Sequence, residues 1–279
     1  MKQRFTVILA CALALVACGP KAQHHLTILH VNDTHSHFEP VRSGEEEGLG
    51  GIIERAAFVD SVRAADGAGN VLLLHAGDFS QGTTYFSELG GDLEVRCLNA
   101  MRYDVVTLGN HEFDNGIEEL GRRLASLEMP VVCCNYDFSP FECGKYIKPY
   151  AIVEKAGLKI GVIGVLCDIR AMVSAEISSR IPEVNTLEAV QKWADYLKDE
   201  EQCDLVISLN HIGYDADDDL TLTDPELVEK TRNIDLVVGG HSHTFLTQPE
   251  YRNNLDGKPV PITQDGCWGL YHGIMHIDM

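Results

Sequence analysis

Short apolar runs alternate along the chain with segments in which apolar residues recur at helical spacing. The short runs are rich in Val, Ile and Leu and are mostly continuous rather than alternating, as expected of strands that are buried on both faces. They predict strands over residues 26–31, 71–75, 105–108, 131–134, 160–165, 205–209 and 236–238.

Helical periodicity fills the intervals between these runs. Apolar spacing predicts helices over residues 52–63 and 117–127. Asn185, with Glu188 three residues later, predicts an N-cap that opens a helix through residue 198. Asp224-Pro225 marks another helix start. The alternation predicts an α/β fold in layers, and the chain shows no internal repeat and no linker that would divide it.

The excess of acidic over basic residues limits the kinds of molecule that the protein is expected to bind. The 279 residues include 42 Asp and Glu against 22 Lys and Arg, for a formal net charge of -20. This balance argues against nucleic acid as a partner, since nucleic-acid backbones select basic faces. A small anionic substrate would have to be attracted by something other than the bulk charge.

The first eighteen residues are typical of an export signal. Lys2 and Arg4 precede an apolar run over residues 5–16, which is too short to span a bilayer. The run ends in Leu-Val-Ala-Cys, which resembles the bacterial lipoprotein signal, in which cleavage precedes an acylated cysteine. We therefore expect a signal peptide over 1–17, a tether over 18–25 from lipidated Cys18, and one domain over 26–279. This predicts a protein anchored in the bacterial cell envelope, on its periplasmic or outer-surface side; an ordinary signal peptide with a chance cysteine is the alternative.

The remaining cysteines show no zinc-type CxxC spacing. Several lie in or beside apolar runs, where cysteine behaves as a small hydrophobe, so they are expected to fill the core. A bridge from Cys143 to Cys133 or Cys134 stays open in an oxidising compartment. The seven residues are Cys97, Cys133, Cys134, Cys143, Cys167, Cys203 and Cys267.

Five of the predicted strands run directly into polar clusters. In layered α/β folds, ligands gather outside the carboxyl ends of strands, so these five loops are expected to converge. Every cluster offers oxygen or imidazole donors. The clusters are Asn32-Asp33-Thr34-His35, Gly77-Asp78, Gly109-Asn110-His111-Glu112, Asn210-His211 and Gly239-Gly240-His241-Ser242-His243.

These donors predict a dinuclear metal site. Asp33 and His35 are two residues apart, so both side chains point the same way in an extended chain, and the same holds for His241 and His243. Two divalent ions carry +4 and Asp33 with Asp78 supplies −2, which leaves about +2 to match a phosphate dianion. The ions, rather than the protein surface, would attract the anion. Oxygen and nitrogen ligands without thiolate suit Zn, Mn, Fe or Co.

The motif set resembles that of the calcineurin-like metallophosphatases. The surrounding residues 29–37, Gly77-Asp78 with Gln81-Gly82-Thr83, and residues 103–116 resemble the 5′-nucleotidase family, which includes UDP-sugar hydrolases. The resemblance covers residues 26–279. It implies a layered α-β-β-α sandwich, with two central mixed sheets flanked by helices.

The resemblance also implies roles for the clustered residues. One metal ion would be held by Asp33, His35, Asp78 and His243. The other would be held by Asp78, Asn110, His211 and His241, with Asp78 bridging. The family hydrolyses phosphate monoesters, including 5′-nucleotides, by in-line attack of a metal-bound water or hydroxide. Asn110 and His111 would contact the phosphoryl group.

His111 and Asp114 are the expected catalytic pair. Asp114 lies three residues after His111, so one helical turn can bring its carboxylate to the imidazole, fix its tautomer and favour its protonated form. Glu112 is expected to face solvent or to orient a loop. The histidines nearer the site, His37 and His75, are expected to support the ligands. Four others, His24, His25, His272 and His276, are expected to be structural or exposed.

Substrate recognition is the part that the resemblance leaves open. Family members usually continue with a second domain that grips the nucleotide, whereas this chain is expected to carry the metallophosphatase domain without it. Either a separately encoded recognition domain is a partner, or specificity comes from no partner at all. The alternatives to a nucleotide monoesterase are a cyclic-nucleotide phosphodiesterase, a hydrolase of UDP-sugar pyrophosphates and a non-catalytic binding lipoprotein.

Overall fold

A computed structural model describes residues 24–215 and 222–279. Two six-stranded sheets form the centre of this part of the chain. The first sheet holds, in spatial order, β12 (Gly273–Asp278), β1 (His25–Val31), β2 (Val71–His75), β3 (Val105–Thr107), β4 (Val131–Val132) and β5 (Ile147–Lys148). The second holds β10 (Glu250–Asn253), β11 (Pro259–Thr263), β9 (Leu236–Val238), β8 (Leu205–His211), β7 (Leu158–Leu166) and β6 (Tyr150–Lys155).

Both sheets are mixed. The inner strands pair in parallel, while β12 with β1, β10 with β11 and β6 with β7 pair antiparallel. The facing sides of the two sheets bury one apolar cluster, to which β1 contributes Leu26 and Ile28 and β8 contributes Leu205 and Ile207. A larger apolar cluster joins the outer faces of the sheets to the helices. The predicted sandwich of two mixed sheets flanked by helices is confirmed.

Seven α-helices lie in the described residues. Their N-termini include side-chain caps at Thr83, Asn185 and Thr223, each of which accepts a backbone N–H of the first turn. The α-helices are α1 (Ile52–Asp66), α2 (Thr84–Leu89), α3 (Asp92–Met101), α4 (Ile117–Leu124), α5 (Ala175–Ser178), α6 (Thr186–Asp195) and α7 (Asp224–Glu229). A π-helical turn at Tyr196–Glu200 extends α6, and single 3₁₀ turns occur at Ala68–Asn70, Asn110–Phe113 and Glu142–Lys145. None of the helices in the described residues is both long and apolar enough to cross a bilayer.

The predicted strands all occur; those over 71–75 and 236–238 have the predicted ends, and the other five have shifted ends. The strand predicted over 131–134 ends at Val132, because the N–H of Cys133 bonds to Lys148 in the same sheet while that of Cys134 bonds to Gly164 in the second sheet. β8 runs two residues further than predicted and ends on His211. β1 begins at His25, the last residue of the expected tether. The predicted signal peptide and Cys18 lie outside the described residues.

The seven cysteines of the described residues are free thiols, so the bridge left open for Cys143 does not form. Five are buried, and Cys97 and Cys267 are half-buried. Burial raises the pKa of Cys133 to about 12 and that of Cys143 to about 11. These buried thiols therefore fill the core, as the sequence predicts.

Candidate metal centre

The loops that follow β1, β2, β3 and β9 meet the end of β8 at one edge of the sandwich. Asp78, after β2, places its Oδ2 3.0 Å from Nε2 of His211 at the end of β8. This contact connects the two sheets. Asp33, after β1, places Oδ1 3.3 Å from Nε2 of His243, which follows β9. Asn110, after β3, lines the same cleft. The predicted convergence of five strand ends is therefore present.

Three overlapping groups of potential ligand atoms form at this edge; one combines His35, Asp78 and His111, and the other two fall within the predicted ligand sets. Three atoms, one each from Asp33, His35 and His243, lie within 4.8 Å of one another, and so do three from Asp78, His211 and His241. The groups adjoin, because Asp33 Oδ1 lies 3.9 Å from His211 Nε2 and Asp78 Oδ2 lies 3.9 Å from His35 Nε2. This is the arrangement expected of the two predicted ligand sets; the bridging role of Asp78 and the part of Asn110 stay predictions.

Most of the predicted ligands have left-handed backbone, so the extended chain expected at residues 33–35 and 241–243 is wrong. The φ angles are 48° at Asp33, 46° at His35, 51° at Asp78, 81° at His241 and 54° at His243. Aspartate and histidine enter this region more readily than most residues with a Cβ. The left-handed residues turn the chain sharply at the strand ends, which aims successive side chains into one small volume.

A glycine makes room for one carboxylate. A Cβ at Gly109 would lie only 2.1 Å from Oδ1 of Asp78, so no residue with a side chain fits there without displacing that carboxylate. The loop after β3 therefore has to carry glycine where it passes the loop after β2.

Hydrogen bonds hold one side of each carboxylate and leave the other side open. Oδ2 of Asp33 accepts from the N–H of His241 at 2.9 Å, and Oδ1 of Asp78 accepts from the N–H of His111 at 2.9 Å. Nδ1 of His211 lies 2.7 Å from the carbonyl oxygen of Ala76, which directs Nε2 to the centre. Within the described residues, Asp33 Oδ1 and His211 Nε2 are buried without a hydrogen-bond partner. Buried polar atoms of this kind are expected to find a ligand.

The buried carboxylates and imidazoles of the centre shift one another's pKa values. Burial opposes ionisation of Asp33, but His211 and His243 outweigh it and hold its pKa well below the usual range. Burial likewise lowers the pKa of His211, yet the carboxylates of Asp78 and Asp33 overcome it and raise the pKa to about 10. Burial and the charge of His211 lower the pKa of His241 to about 4. Two buried carboxylates that draw protons onto imidazole form a centre suited to cations.

His111 lies beside this centre on the 3₁₀ turn Asn110–Phe113. Its Nδ1 is 2.9 Å from Oδ2 of Asp114, and the hydrogen bond that it donates to this carboxylate raises the pKa of His111. Its ring meets the ring of His35 edge to face at 5.3 Å. The predicted contact between His111 and Asp114 is thus formed; the catalytic role of the pair stays a prediction.

Glu112 does not face solvent, so that part of the sequence interpretation is wrong. It is fully buried, and its carboxylate accepts the backbone N–H groups of Asp78 at 2.9 Å, Ser80 at 3.1 Å and Gly109 at 2.6 Å. The alternative interpretation, that Glu112 orients a loop, describes what it does. It ties the loop after β2 to the loop after β3.

Sequence reasoning missed Gln264, which holds the loop that carries His241 and His243. Gln264 is fully buried directly after β11. Its Nε2 donates to the carbonyl oxygen of Gly240 at 2.9 Å, and its Oε1 accepts from Ser242 Oγ at 3.0 Å. A glutamine that immediately follows an apolar strand was the signal available in the sequence.

The supporting histidines brace the loop after β1. Nε2 of His75 lies 3.1 Å from Oγ1 of Thr34, and burial lowers the pKa of His75 to about 3, so its ring is neutral. Nδ1 of His37 lies 2.8 Å from the carbonyl oxygen of His35, and its ring stacks on Trp268 at 4.9 Å. Both histidines therefore contact the loop that carries Asp33 and His35, as expected.

The centre opens into a cleft of about 710 Å³. His35, His111, His241 and His243 line its floor with Asp78, and exposed Met172 and Trp268 lie at its rim. The cleft is large enough for a small phosphorylated molecule.

Two mixed sheets with paired His/Asp groups at their strand ends define a metallophosphoesterase. The chain belongs to the calcineurin-like phosphoesterase family, whose model matches residues 26–245. The family uses two divalent metal ions, and the His/Asp groups described above offer the ligand atoms for them.

Known proteins that are similar to this chain include 5′-nucleotidases. The chain is similar to a 5′-nucleotidase of Diplobatis ommata, with 34% identity over 96% of this chain and 48% of the relative. A 5′-nucleotidase precursor of Thermus thermophilus has a similar structure, with a TM-score of 0.81 and 31% identity over 91% of this chain and 51% of the neighbour. The NAD nucleotidase of Haemophilus influenzae also has a similar structure, with a TM-score of 0.79 and 28% identity over 92% of this chain and 48% of the neighbour. The chain thus spans about half the length of these relatives.

Proposed function

We propose that this chain is a dimetal phosphoesterase that hydrolyses phosphate monoesters, most simply 5′-nucleotides. The observation that carries the proposal is the convergence of two carboxylates and four imidazoles, from both sheets, on one open cleft. Relatives named 5′-nucleotidase support the substrate class. An acidic protein would then hold an anionic substrate through its metal centre.

The residues present fit two divalent ions. One ion would be held by Asp33, His35, Asp78 and His243. The other would be held by Asp78, Asn110, His211 and His241. Two buried atoms without a hydrogen-bond partner, Oδ1 of Asp33 and Nε2 of His211, support this fit. When bound, such ions activate a water molecule and neutralise the charge that develops on the phosphoryl oxygens.

His111 would act on the substrate rather than hold an ion. Asp114 engages Nδ1 and favours the protonated ring, so Nε2 can donate a hydrogen bond or a proton to a phosphoryl or leaving oxygen. Asn110 lines the same cleft and would contact the phosphoryl group beside it.

Metal content and turnover of an aryl phosphate test the proposal together. Asp78→Ala is expected to lose bound metal and nearly all turnover. Asp60→Ala, which changes an exposed aspartate on α1 whose carboxylate lies 3.8 Å from the guanidinium of Arg102, is expected to keep both. A wild-type chain that binds two metal ions and hydrolyses no phosphate ester would favour the binding lipoprotein instead.

Pyrophosphate hydrolysis is the second candidate function, and the NAD nucleotidase among the structural neighbours favours it. A panel of AMP, GMP, UMP, a sugar phosphate, a cyclic nucleotide, UDP-glucose and NAD separates the candidates. For the monoesters we expect kcat/KM values that agree within about tenfold, or ~1.4 kcal/mol, because the groups at the metal centre contact mainly the phosphoryl group. A preference above roughly a hundredfold for NAD or UDP-glucose would move the assignment to pyrophosphates.

We propose that nucleotide selectivity then comes from a recognition domain that acts together with this one. Mixing that domain with this chain is expected to lower KM for nucleotides and to leave KM for an aryl phosphate unchanged. Equal KM values with and without it would remove the partner from the proposal.

We also propose that Cys18 carries a lipid anchor that holds the protein in the bacterial cell envelope. The apolar run that ends in Leu-Val-Ala-Cys supports it. Cys18→Ala is expected to abolish fatty-acid labelling and to move the protein to the soluble fraction, whereas Cys97→Ala is expected to change neither. A Cys18→Ala protein that stays in the membrane fraction would refute the anchor.

A further inference from the structure

A second cluster of histidine and aspartate lies at the start of β1, at the opposite end of the sheet from the metal centre. In the antiparallel pair of β1 and β12, His25 is opposite Asp278 and Thr27 is opposite His276. Residues two apart in a strand share a face, so these four side chains form one patch. Asp66, the last residue of α1, reaches the same patch, where its Oδ2 accepts the Thr27 hydroxyl at 2.6 Å.

The patch has the spacing of a metal site. Three ligand atoms, one each from His25, Asp66 and His276, lie within 4.8 Å of one another. The rings of His25 and His276 are stacked, with centroids 5.4 Å apart and planes 14° apart. Thr27 is fully buried, and its Oγ1 also lies 3.1 Å from Nδ1 of His276. A buried anchor thus fixes two of the three side chains.

The hydrogen bonds around the patch prepare it for a cation. Nδ1 of His25 lies 2.7 Å from Oδ1 of Asp278. Metal-binding histidines are commonly oriented in this way, with one ring nitrogen bonded to a carboxylate and the other free for the ion. The two carboxylates, Asp66 and Asp278, contribute −2, which equals the charge that a divalent ion would neutralise. Two imidazoles with a carboxylate suit Zn, Cu or Ni rather than Mg or Ca.

We propose that His25, Asp66 and His276 bind one divalent transition-metal ion, with Asp278 as the positioning residue for His25. The seven residues of β1 separate this patch from the loop that carries Asp33 by roughly 20 Å, at about 3.3 Å per residue. The ion is therefore additional to the dimetal centre. It connects the start of β1, the end of β12 and the end of α1, and it stabilises the folded chain because it binds only where these three elements meet.

Zinc content after equilibrium dialysis of the purified chain tests the site. We expect His25→Ala/His276→Ala to hold one zinc ion fewer per chain than the wild type. The control is His24→Ala, which removes a neighbouring imidazole whose Nδ1 bonds to the carbonyl oxygen of Ala156, and it is expected to hold as much zinc as the wild type. Equal zinc in the double variant and the wild type would overturn the proposal and leave an ordinary ion pair between His25 and Asp278.

A thermal melt in Asp78→Ala separates this site from the dimetal centre. With the bridging carboxylate removed, added zinc is still expected to raise the melting temperature, through the patch alone. The rise is expected to disappear when His25→Ala/His276→Ala is combined with Asp78→Ala. A zinc-dependent rise that is equally large in Asp78→Ala and in the triple variant would show that the patch does not bind the ion.

Discussion

Glu112 touches no substrate in the proposed reaction, yet replacing it with glutamine is expected to damage both stability and turnover. Both of its oxygens accept backbone N–H groups: Oε2 from Asp78 and Gly109, and Oε1 from Ser80. A glutamine side chain has one acceptor oxygen and one NH₂ group. In either orientation the NH₂ group must face a backbone N–H that it cannot satisfy.

The magnitude follows from the burial. Glu112 has no exposed surface, so an N–H that loses its acceptor there incurs its full desolvation cost, about 1–3 kcal/mol. A loss of about 2 kcal/mol lowers the melting temperature of a chain of this size by roughly 4–8 °C. Turnover is expected to fall as well, since a displacement of about 1 Å at the backbone of Asp78 can cost roughly a hundredfold.

The matched control is Glu118→Gln. Glu118 lies in the first turn of α4, its side chain is 76% exposed, and its carboxylate is 3.4 Å from the guanidinium of Arg180. Differential scanning calorimetry and kcat on an aryl phosphate would be measured for both variants. If Glu112→Gln melts and turns over like Glu118→Gln, the three N–H contacts do not position the loop and the reasoning fails.

The remaining predictions concern His111 and its partner. His111→Ala is expected to keep both metal ions but to lower kcat by ~10²–10⁴, and full kcat on a substrate with a poor leaving group would contradict the assigned role. Asp114→Asn removes the carboxylate whose hydrogen bond and charge raise the pKa of His111, so the protonated ring is lost at lower pH and the alkaline fall in kcat is expected to move to lower pH. The raised pKa also means that this contact stabilises the fold below the ordinary histidine pKa and stops doing so as pH rises through the folded pKa; a melt against pH checks this in Asp114→Asn. In the wild type, metal content is expected to fall at acid pH, because imidazole binds an ion only when neutral; retention of both ions below the usual histidine pKa would contradict this.

The sequence predicts the ligand positions because they depend on local order along the chain. Each ligand cluster directly follows a buried apolar strand, and in layered α/β folds ligands gather outside the carboxyl ends of the strands. Asp33, Asp78 and His211 could therefore be placed together before the sheet order was known. The strand predicted to end at residue 209 in fact ends on His211, and this two-residue error does not change the predicted convergence of the strand ends.

The parts that the sequence did not predict depend on distant partners. β12 alternates between half-buried and exposed positions and pairs with β1, almost the whole length of the chain away. The patch around His25 exists only because of that pairing and the end of α1. Gln264 was missed for the same reason, and for Glu112 the sequence left two alternatives open, since a single buried polar residue reveals its function only through the backbone groups that surround it.

The left-handed backbone of the ligand loops restricts how these positions can vary. Residues with branched or bulky side chains are strained at φ angles such as the 48° of Asp33 or the 81° of His241, whereas asparagine, aspartate, histidine and glycine are tolerated. Backbone sterics and metal chemistry therefore favour nearly the same few residue types at these positions. A change from aspartate to asparagine removes a charge while keeping the loop, and a change to valine removes both. A single substitution can consequently exchange one ligand type for another while keeping the loop. Replacement by an apolar residue at these positions would also unfold the loops that shape the cleft.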